Sequence, residues 1–315
     1  MSNSELIIDQ NETLISALEK LSSVKNYINL TLFVYNEKKQ IIGSVTDGDI
    51  RRSLILDKDL NKKIGQICFR KFSYIVNSNE FQDLDSFRKK NIKILPILNK
   101  NKTLYKVIDL NKTKSILPLE CVIMAGGRGK RLSPLTDKVP KPMLMLGNKP
   151  IIEHNIDYLI SYGIKKFYIS VKYLGEQIKS YFGDGSSKGI HIEYIWEDIP
   201  LGTAGSLSIV RKFNTDNILL INSDLFTDAN IEKMYKSLLS SKAEMVVAST
   251  KYKVDIPYAV FKNENENILG FKEKPSYSYH SNAGIYIFKK QLISLIPKNK
   301  FFDITDLMDL IIKKK

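Results

Sequence analysis

The sequence predicts an α/β protein in two dissimilar parts, and three observations carry that prediction. Through residues 119–315, short apolar runs alternate with segments of helical period, the pattern of a mostly parallel sheet with helices on both faces. Residues 1–112 instead repeat a strand-and-helix unit with a period of roughly 60 residues, which argues for one folded unit of two similar halves. Between them, NKTKSILPLE carries polar residues and Pro118, so residues 113–118 read as a linker.

A chain of 315 residues, 43% hydrophobic and 26% charged, is long enough for about two domains with a sizeable core. Its 48 Lys+Arg against 34 Asp+Glu give a net charge of +14. Such an excess is compatible with nucleic acid, an anionic membrane or small phosphorylated substrates, but the basic residues are scattered and no nucleic-acid module is recognisable, so it reads mainly as solvated surface, with no nucleic-acid partner expected. Cys68 and Cys121 lie in different segments and imply neither a disulfide framework nor a zinc site. His154, His191 and His280 are far apart and read as structural or exposed. The N-terminal MSNSELIIDQNETL has no basic region followed by an apolar one, and no run approaches the roughly 20 apolar residues of a membrane span. A cytoplasmic protein without membrane contact is expected.

Taken in order, LISALEKLSS has helical period, LTLFVYN reads as a strand, and IIGSVTDGDIRRSLI as strand, turn and helix. The second copy follows: DLDSFRKKN as helix, then IKILPILNK and KTLYKVIDL as strands. The run Gly43-Ser44-Val45-Thr46-Asp47-Gly48-Asp49-Ile50 resembles the signature of cystathionine-β-synthase (CBS) motifs, and the duplication resembles a CBS pair. That resemblance implies an adenosine or guanosine nucleotide as a regulatory ligand, with Thr46 at phosphate and Asp49 at the ribose hydroxyls. A carboxylate can accept from both hydroxyls of a cis-diol. In the second copy these positions are Asp109 and Lys112, so at most one nucleotide site is expected. A packing or dimerisation module without ligand is the alternative reading, and a homodimer is expected.

In the second part, CVIMA, KFYISV, HIEYIW and NILLIN read as strands, while IIEHNIDYLISYGI, LGEQIKSYFG and SLSIVRKF read as helices. Ligands of such sheets sit at the carboxyl ends of the strands. CVIMA ends in GGRGKRLSPLTDKVPKPM, a glycine-rich loop with Arg128, Lys130, Arg131, Lys138 and Lys141. Backbone N–H groups bared by Gly126, Gly127 and Gly129 suit an anion nest, and the added cations point to a polyphosphate. The spacing fits neither a Walker A loop, since Arg131 follows Lys130, nor a dinucleotide fingerprint, since position 132 is Leu.

GGRGKRLSPLT followed by PKPM resembles the signature of nucleotidyltransferases that activate sugar 1-phosphates, and PLGTAGSL (200–207), NSDLF (222–226), FKEKP (271–275) and NAGIY (282–286) follow in that family's order. The resemblance covers residues 119–315 and implies a Rossmann-like nucleotidyltransferase domain whose substrates are a nucleoside triphosphate and a sugar 1-phosphate, with Mg²⁺ as cofactor. Lys130 departs from the family's usual Thr. The resemblance gives Arg131 to the departing β- and γ-phosphates, Lys141 to the α-phosphate, Asp224 to the metal, Lys274 to the sugar phosphate, and Glu273 and Asn282 to sugar hydroxyls. Planar guanidinium and point-charge ammonium suit those phosphate roles, and a carboxylate suits a hard cation. A turn residue or helix cap is the bland reading of Asp224, and a solvated charged turn that of FKEKP.

The family's base pocket lies near the PLGTAG loop, to which Gly202 belongs, and Trp196-Glu197-Asp198 stands just before it. A carboxylate only accepts, so Glu197 suits guanine with its adjacent N1–H and N2–H₂ donors, and GTP is favoured. UTP, CTP or dTTP stay open, as does Glu197 as a surface charge. A CBS pair joined to this domain resembles guanylyltransferases that make GDP-glucosamine on the route to legionaminic acid. Glucosamine 1-phosphate rests on that resemblance alone, and mannose or heptose 1-phosphate stay open.

The family continues past the Phe-Asp-x-x-Asp-Leu helix, here Phe302 to Leu307, with a strand carrying Trp-x-Asp-x-Gly, whose Asp is a second metal ligand. This sequence ends IIKKK. It is therefore expected to be truncated or to have an incomplete metal site, which keeps a catalytically weak nucleotide-sensing or scaffold protein as the alternative of another class.

Overall fold

TLFVY and IIGSVT are rich in β-branched and aromatic side chains, which suit a pleated, half-buried surface, and they pair antiparallel in the first sheet, TLFVY at its centre and IIGSVT at its edge. The computed structural model describes residues 3–23, 31–78 and 80–314. Leu30, placed in a strand by the sequence, and Lys315 lie outside them. The chain divides into two units, Met1–Leu117 with Ser161–Gly163, and Pro118–Ile160 with Ile164–Lys315.

The first unit runs β1 (Ile7–Asp9), α1 (Leu14–Ser23), β2 (Thr31–Tyr35), β3 (Ile41–Thr46), α2 (Asp47–Asp57), α3 (Ile64–Ile67), β4 (Ile75–Val76), α4 (Asp85–Lys89), β5 (Ile94–Leu98) and β6 (Leu104–Asp109). Its sheets β1-β2-β3 and β4-β5-β6 share one pattern, a parallel first pair and an antiparallel second. β2 and β5 begin at residues 31 and 94, β3 and β6 at 41 and 104, an offset of 63 residues in both cases. The connecting turns repeat too: Asn36 and Asn99 each hold a turn whose left-handed residue is a lysine, Lys39 or Lys102. Phe33, Ile41, Ile94 and Leu98 pack into one cluster that joins the halves.

The two copies part company where Thr46 and Asp49 stand. Thr46 caps α2 and accepts from the Asp49 N–H at 3.2 Å, while the Asp49 carboxylate accepts from the Thr46 N–H at 2.8 Å and hydroxyl at 2.6 Å. Arg52 pairs with its other oxygen at 2.5 Å. Burial pushes the Asp49 carboxyl up, but the bonds from Thr46 and the charge of Arg52 outweigh it and leave it below the usual range. After β6, the Asp109 carboxylate accepts from the Asn111 N–H at 2.9 Å while its carbonyl accepts from the Lys112 and Thr113 N–H groups, and among the described residues β7 follows without a helix between. Lys112, where a carboxylate would have to accept the cap N–H, can only donate, so the reciprocal box that starts α2 has no counterpart. Asp49→Ala should cost the first unit about 0.5–2 kcal/mol by loss of the acceptor that completes the capping box; a midpoint of chemical denaturation unchanged for this unit would contradict that.

The second unit continues with β7 (Leu119–Met124), the short hairpin β8 (Met145–Leu146) and β9 (Lys149–Pro150), α5 (Ile151–Ile160), β10 (Lys166–Val171), α6 (Gly175–Phe182), β11 (His191–Trp196), α7 (Gly202–Gly205), β12 (Asn217–Asn222), α8 (Ile231–Ser241), β13 (Met245–Asp255), β14 (Val260–Glu264), β15 (Asn267–Lys272), β16 (Ser276–Lys289) and α9 (Ile304–Lys313). Its sheet has the order β11-β10-β7-β12-β16-β13, with the first four strands parallel and the last two joined antiparallel. Val122, Tyr168, Ile195, Leu207, Phe213, Leu220, Phe288 and Leu307 belong to the core on this sheet. Fully burying a side chain of this size contributes roughly 1.5–3 kcal/mol. The helix expected over SLSIVRKF is corrected: Ser206–Ile209 makes one 3-10 turn and the chain is extended from Val210. Extension carries Phe213 into the core, its ring 5.0 Å from that of Tyr168, and this contact outweighs the local period.

A charged network secures α5. Lys188 Nζ donates to Glu153 at 2.6 Å and Asp157 at 2.7 Å, Lys149 to Asp157 at 2.6 Å, and the Tyr181 hydroxyl to Glu153 at 2.6 Å. Burial pushes both carboxyls up, but the Lys188, Tyr181 and Lys149 bonds prevail and hold them below their ordinary 4.5 and 3.8. Lys188 is raised above 10.5, burial being outweighed by the same two carboxylates. Groups with lowered folded pKa stabilise fully above their unfolded values and lose that contribution as pH falls through the folded ones; Lys188 loses its own as pH rises through its raised value. Stability from this network should therefore be flat between about pH 5 and 10 and decline outside. Denaturant titrations across pH should show a shallower acid decline in Lys188→Met than in the unaltered chain, and equal slopes would refute the linkage.

Candidate active site

Parallel pairing aligns the carboxyl ends of four strands. Met124 lies beside Ser170 on one side and Asn222 on the other, and Val171 lies beside Trp196. The residues that follow, Ala125-Gly126, Lys172, Glu197 and Ser223-Asp224, therefore emerge along one edge. β16 runs the opposite way, with Ile285 beside Ile221, so NAGIY reaches the same edge by its strand's direction.

The basic loop leaves β7 through Gly126. A Cβ there would sit 3.3 Å from Glu197 Oε1 and 3.5 Å from Lys172 Cβ, so glycine lets the loop pass against the two neighbouring strand ends. Gly129 is left-handed at φ 65°, and a Cβ would meet Lys141 Cβ at 3.0 Å and Thr136 Cγ2 at 3.1 Å. Gly127 has open space around it, which matches a bare backbone better than a packing need. Lys130–Leu132 makes a 3-10 turn that presents the exposed Lys130 and Arg131. The Thr136 hydroxyl donates to the Gly129 carbonyl at 3.0 Å and closes the loop.

Lys141 opens the 3-10 turn after Pro140 and its ammonium pairs with the Asp224 carboxylate, with the side chains 38% and 29% exposed. The sequence named both residues, and the structure brings them together across 83 positions. The Asp224 turn is supported from below: Asn155 donates to the Ser223 carbonyl at 3.3 Å, and Gly284, left-handed at φ 74°, leaves room for Asn222 where a Cβ would lie 2.5 Å from its Nδ2. Asn282 is already engaged, donating to the Tyr286 hydroxyl at 2.7 Å and accepting from the Gly284 N–H at 2.9 Å. Glu273 and Lys274 sit exposed at the bend between β15 and β16, Lys274 with φ 43°.

The Glu197 carboxylate has two hydrogen-bond partners among the described residues. One carboxylate oxygen accepts from the Ser170 hydroxyl and the other from the Leu201 N–H at 3.0 Å. The carboxylate thus ties the 198–201 turn to β10. Gly202, left-handed at φ 76°, and Gly205 pack against the backbone of Lys300 and Phe302. Asp303 accepts from the Thr203 N–H at 3.0 Å and hydroxyl at 3.1 Å, and shares a capping box with Asp306 at the start of α9. Both C-terminal carboxylates are therefore spent on structure. The sequence places Asp224 alone at a metal, and a single carboxylate there would suit Mg²⁺, a hard cation that takes oxygen ligands.

Ser170, Lys172, Tyr173 and Gln177 also shape the site and carry no motif of their own, while Thr203 stands inside PLGTAGSL without a role assigned from the sequence. Their signal was positional: the first three stand at the end of the KFYISV strand, where ligand loops converge. No helix among the described residues is long and apolar enough to cross a membrane.

Residues 120–314 match the nucleotidyl transferase family. The chain is similar to a D-glycero-alpha-D-manno-heptose 1-phosphate guanylyltransferase of Aneurinibacillus thermoaerophilus, 35% identical over 179 residues, 55% of this chain and 76% of that protein. It is also similar to a mannose-1-phosphate guanylyltransferase of Mycobacterium tuberculosis, 30% identical over 188 residues, 58% of this chain and 52% of that one. A UTP–glucose-1-phosphate uridylyltransferase of Synechocystis is 32% identical over 209 residues, 59% of this chain and 53% of the relative. The chain thus spans about half the length of the latter two.

Proposed function

Because this chain belongs to the nucleotidyl transferase family, we propose that it transfers the nucleoside monophosphate of a triphosphate, GTP foremost, to a sugar 1-phosphate and releases pyrophosphate. The observation that carries the reading is the convergence at one sheet edge of the glycine loop, the Lys141–Asp224 pair and the Gly202 turn. A phosphate oxygen of the sugar attacks the α-phosphorus in line, so the site's task is to position two anions and neutralise them. Arg131 offers a forked donor set to the departing pyrophosphate and Lys141 a point charge to the α-phosphate. Asp224 would hold Mg²⁺, which supplies charge neutralisation on the phosphates. Lys274 at the β15–β16 bend takes the sugar phosphate, and Glu273 and Asn282 take hydroxyls, Asn282 with its second Nδ2 hydrogen or by exchanging the Tyr286 bond.

GTP is supported by two guanylyltransferases among the relatives. A second base is favoured by one observation: both Glu197 oxygens already accept within the chain, from Ser170 and Leu201, so the carboxylate offers guanine only its remaining lone pairs. Glucosamine 1-phosphate rests on the two-part architecture, and heptose or mannose 1-phosphate on what those relatives act upon. For the first unit, the proposal is a CBS pair with one regulatory nucleotide at Thr46 and Asp49, and a homodimer. The nucleotide must displace Arg52 and share a carboxylate that already caps α2.

The test is pyrophosphate release by the full chain with Mg²⁺, crossing ATP, GTP, CTP, UTP and dTTP with glucosamine, mannose, glucose and heptose 1-phosphates. Turnover confined to GTP and one sugar is expected. Turnover with UTP alone would remove the guanylyl reading, and none with any pair from folded protein would remove the reaction.

A further inference from the structure

Lys172 and Tyr173 are consecutive residues at the turn from β10 into α6, yet their side chains hold two different loops. Lys172 Nζ donates to the carbonyl oxygens of Asp198 at 2.5 Å and Glu197 at 3.3 Å. The Tyr173 hydroxyl donates to the Asp137 carbonyl at 2.8 Å, and its ring lies 5.4 Å below the Arg128 guanidinium. The pattern extends both ways along the chain. Two residues earlier, Ser170 donates to the Glu197 carboxylate; four residues later, Gln177 Nε2 donates to the Lys138 carbonyl at 2.9 Å.

We infer that the β10–α6 corner is a bracket, in which Ser170 and Lys172 mount the 197–201 turn while Tyr173 and Gln177 mount the basic loop 128–138. Lys172 and Tyr173 are positioning residues for the nucleotide, one for the wall beside its base and one for the cradle of its phosphates. The ligand assignment rests on the nucleotidyl-transfer reading; the bracket itself rests on geometry alone. A loop of glycines and cations has no apolar core of its own, and like charges at Arg128, Lys130, Arg131, Lys138 and Lys141 repel. Such a segment holds a phosphate-binding shape only if the scaffold supplies the fixed points, and a misplacement near 1 Å costs about a hundredfold in rate. Neutral acceptors are the economical choice here: carbonyls of Asp137, Lys138, Glu197 and Asp198 receive every bracket bond except that of Ser170. Four of the five bonds therefore leave no side-chain charge of the loops neutralised, and the loop cations stay available for phosphate. Tyr173 adds a cation–π contact, worth about 0.5–1 kcal/mol when exposed, which orients Arg128 without neutralising it.

Hydrogen exchange of the ligand-free full chain separates the two arms. In Lys172→Met, the 197–202 amides should exchange faster while those of 128–138 keep their rate; in Tyr173→Leu the loosening should fall on 128–138 alone. Tyr173→Phe, which keeps the ring and loses the hydroxyl bond, should lie between. Both segments loosening together in either variant, or neither loosening, would overturn the bracket. Kinetics then test the ligand assignment. Lys172→Met should raise KM for the triphosphate about tenfold, the scale of one lost charged hydrogen bond, and narrow the discrimination among bases. Lys172→Arg should restore most of both. Tyr173→Leu should raise KM for all triphosphates equally. A bracket seen by exchange with no kinetic split would overturn the division into base and phosphate arms. An unaltered chain that neither turns over nor binds any triphosphate would remove the nucleotidyl-transfer reading, with the exchange result still deciding the bracket.

Discussion

Asp224→Asn should abolish most turnover while tightening metal-free binding of the triphosphate. In the ligand-free chain the Asp224 carboxylate and the Lys141 ammonium neutralise each other. The proposed reaction requires both to change partner, Asp224 to the metal and Lys141 to the α-phosphate. Losing the carboxylate removes the anchor for a charge worth several kcal/mol in the transition state, so kcat should fall by about 10³-fold or more. Asparagine is close to isosteric, and it cannot hold the ammonium as an ion pair. Lys141 is then released toward phosphate in advance. In EDTA, calorimetric titration with GTP should show affinity increased by up to about fivefold, the worth of a partly exposed ion pair. Turnover near that of the unaltered chain would mean that Asp224 is no metal ligand. Unchanged affinity in EDTA would mean that Lys141 does not meet phosphate.

Gly202→Ala should be among the most damaging single-methyl changes in the second unit. At φ 76° a residue with a Cβ pays about 1–2 kcal/mol for the left-handed backbone. The added carbon would lie 2.8 Å from the Phe302 carbonyl oxygen and 2.8 Å from Asp303 Oδ1, and the first of these is backbone that cannot rotate away. Overpacking of this kind costs roughly 1–3 kcal/mol more. The displaced group is the one that holds Thr203, so the turn before α7 and the start of α9 should loosen together. Together these amount to about 2–5 kcal/mol, or a fall in Tm of roughly 4–20 °C for a unit of this size. Differential scanning calorimetry would show it. A Tm within a degree of the unaltered chain would mean that α9 is not anchored through this turn.

The strands were legible because their signal is local. CVIMA, KFYISV and NILLIN are apolar and β-branched, and no helix of comparable length competes for them. The duplication in the first unit was legible because two copies of one pattern reinforce each other, down to the asparagine turns. The failed helix over SLSIVRKF shows the limit, since Phe213 is drawn to a ring 45 positions away by sequence number, a pull that no local period encodes. In the site, glycines and cations could be named because their chemistry is particular to the residue type. Lys172 and Tyr173 could not, because lysine and tyrosine occur throughout the chain and only their neighbours across the fold give them a role.

Residue type alone determined the chemistry on offer at this protein's sheet edge: flexible backbone, forked and point cations, one carboxylate after a buried strand. Tertiary structure decided which of those groups are already committed. It pairs Lys141 with Asp224, closes Glu197 onto Leu201 and Ser170, and spends Asp303 and Asp306 on a helix cap. The physical reason is that a hydrogen already donated, or a lone pair already accepting, within the chain is open to a ligand only when that bond is released, and such partners, here as many as 100 positions apart for Thr203 and Asp303, are set by strand order and loop closure.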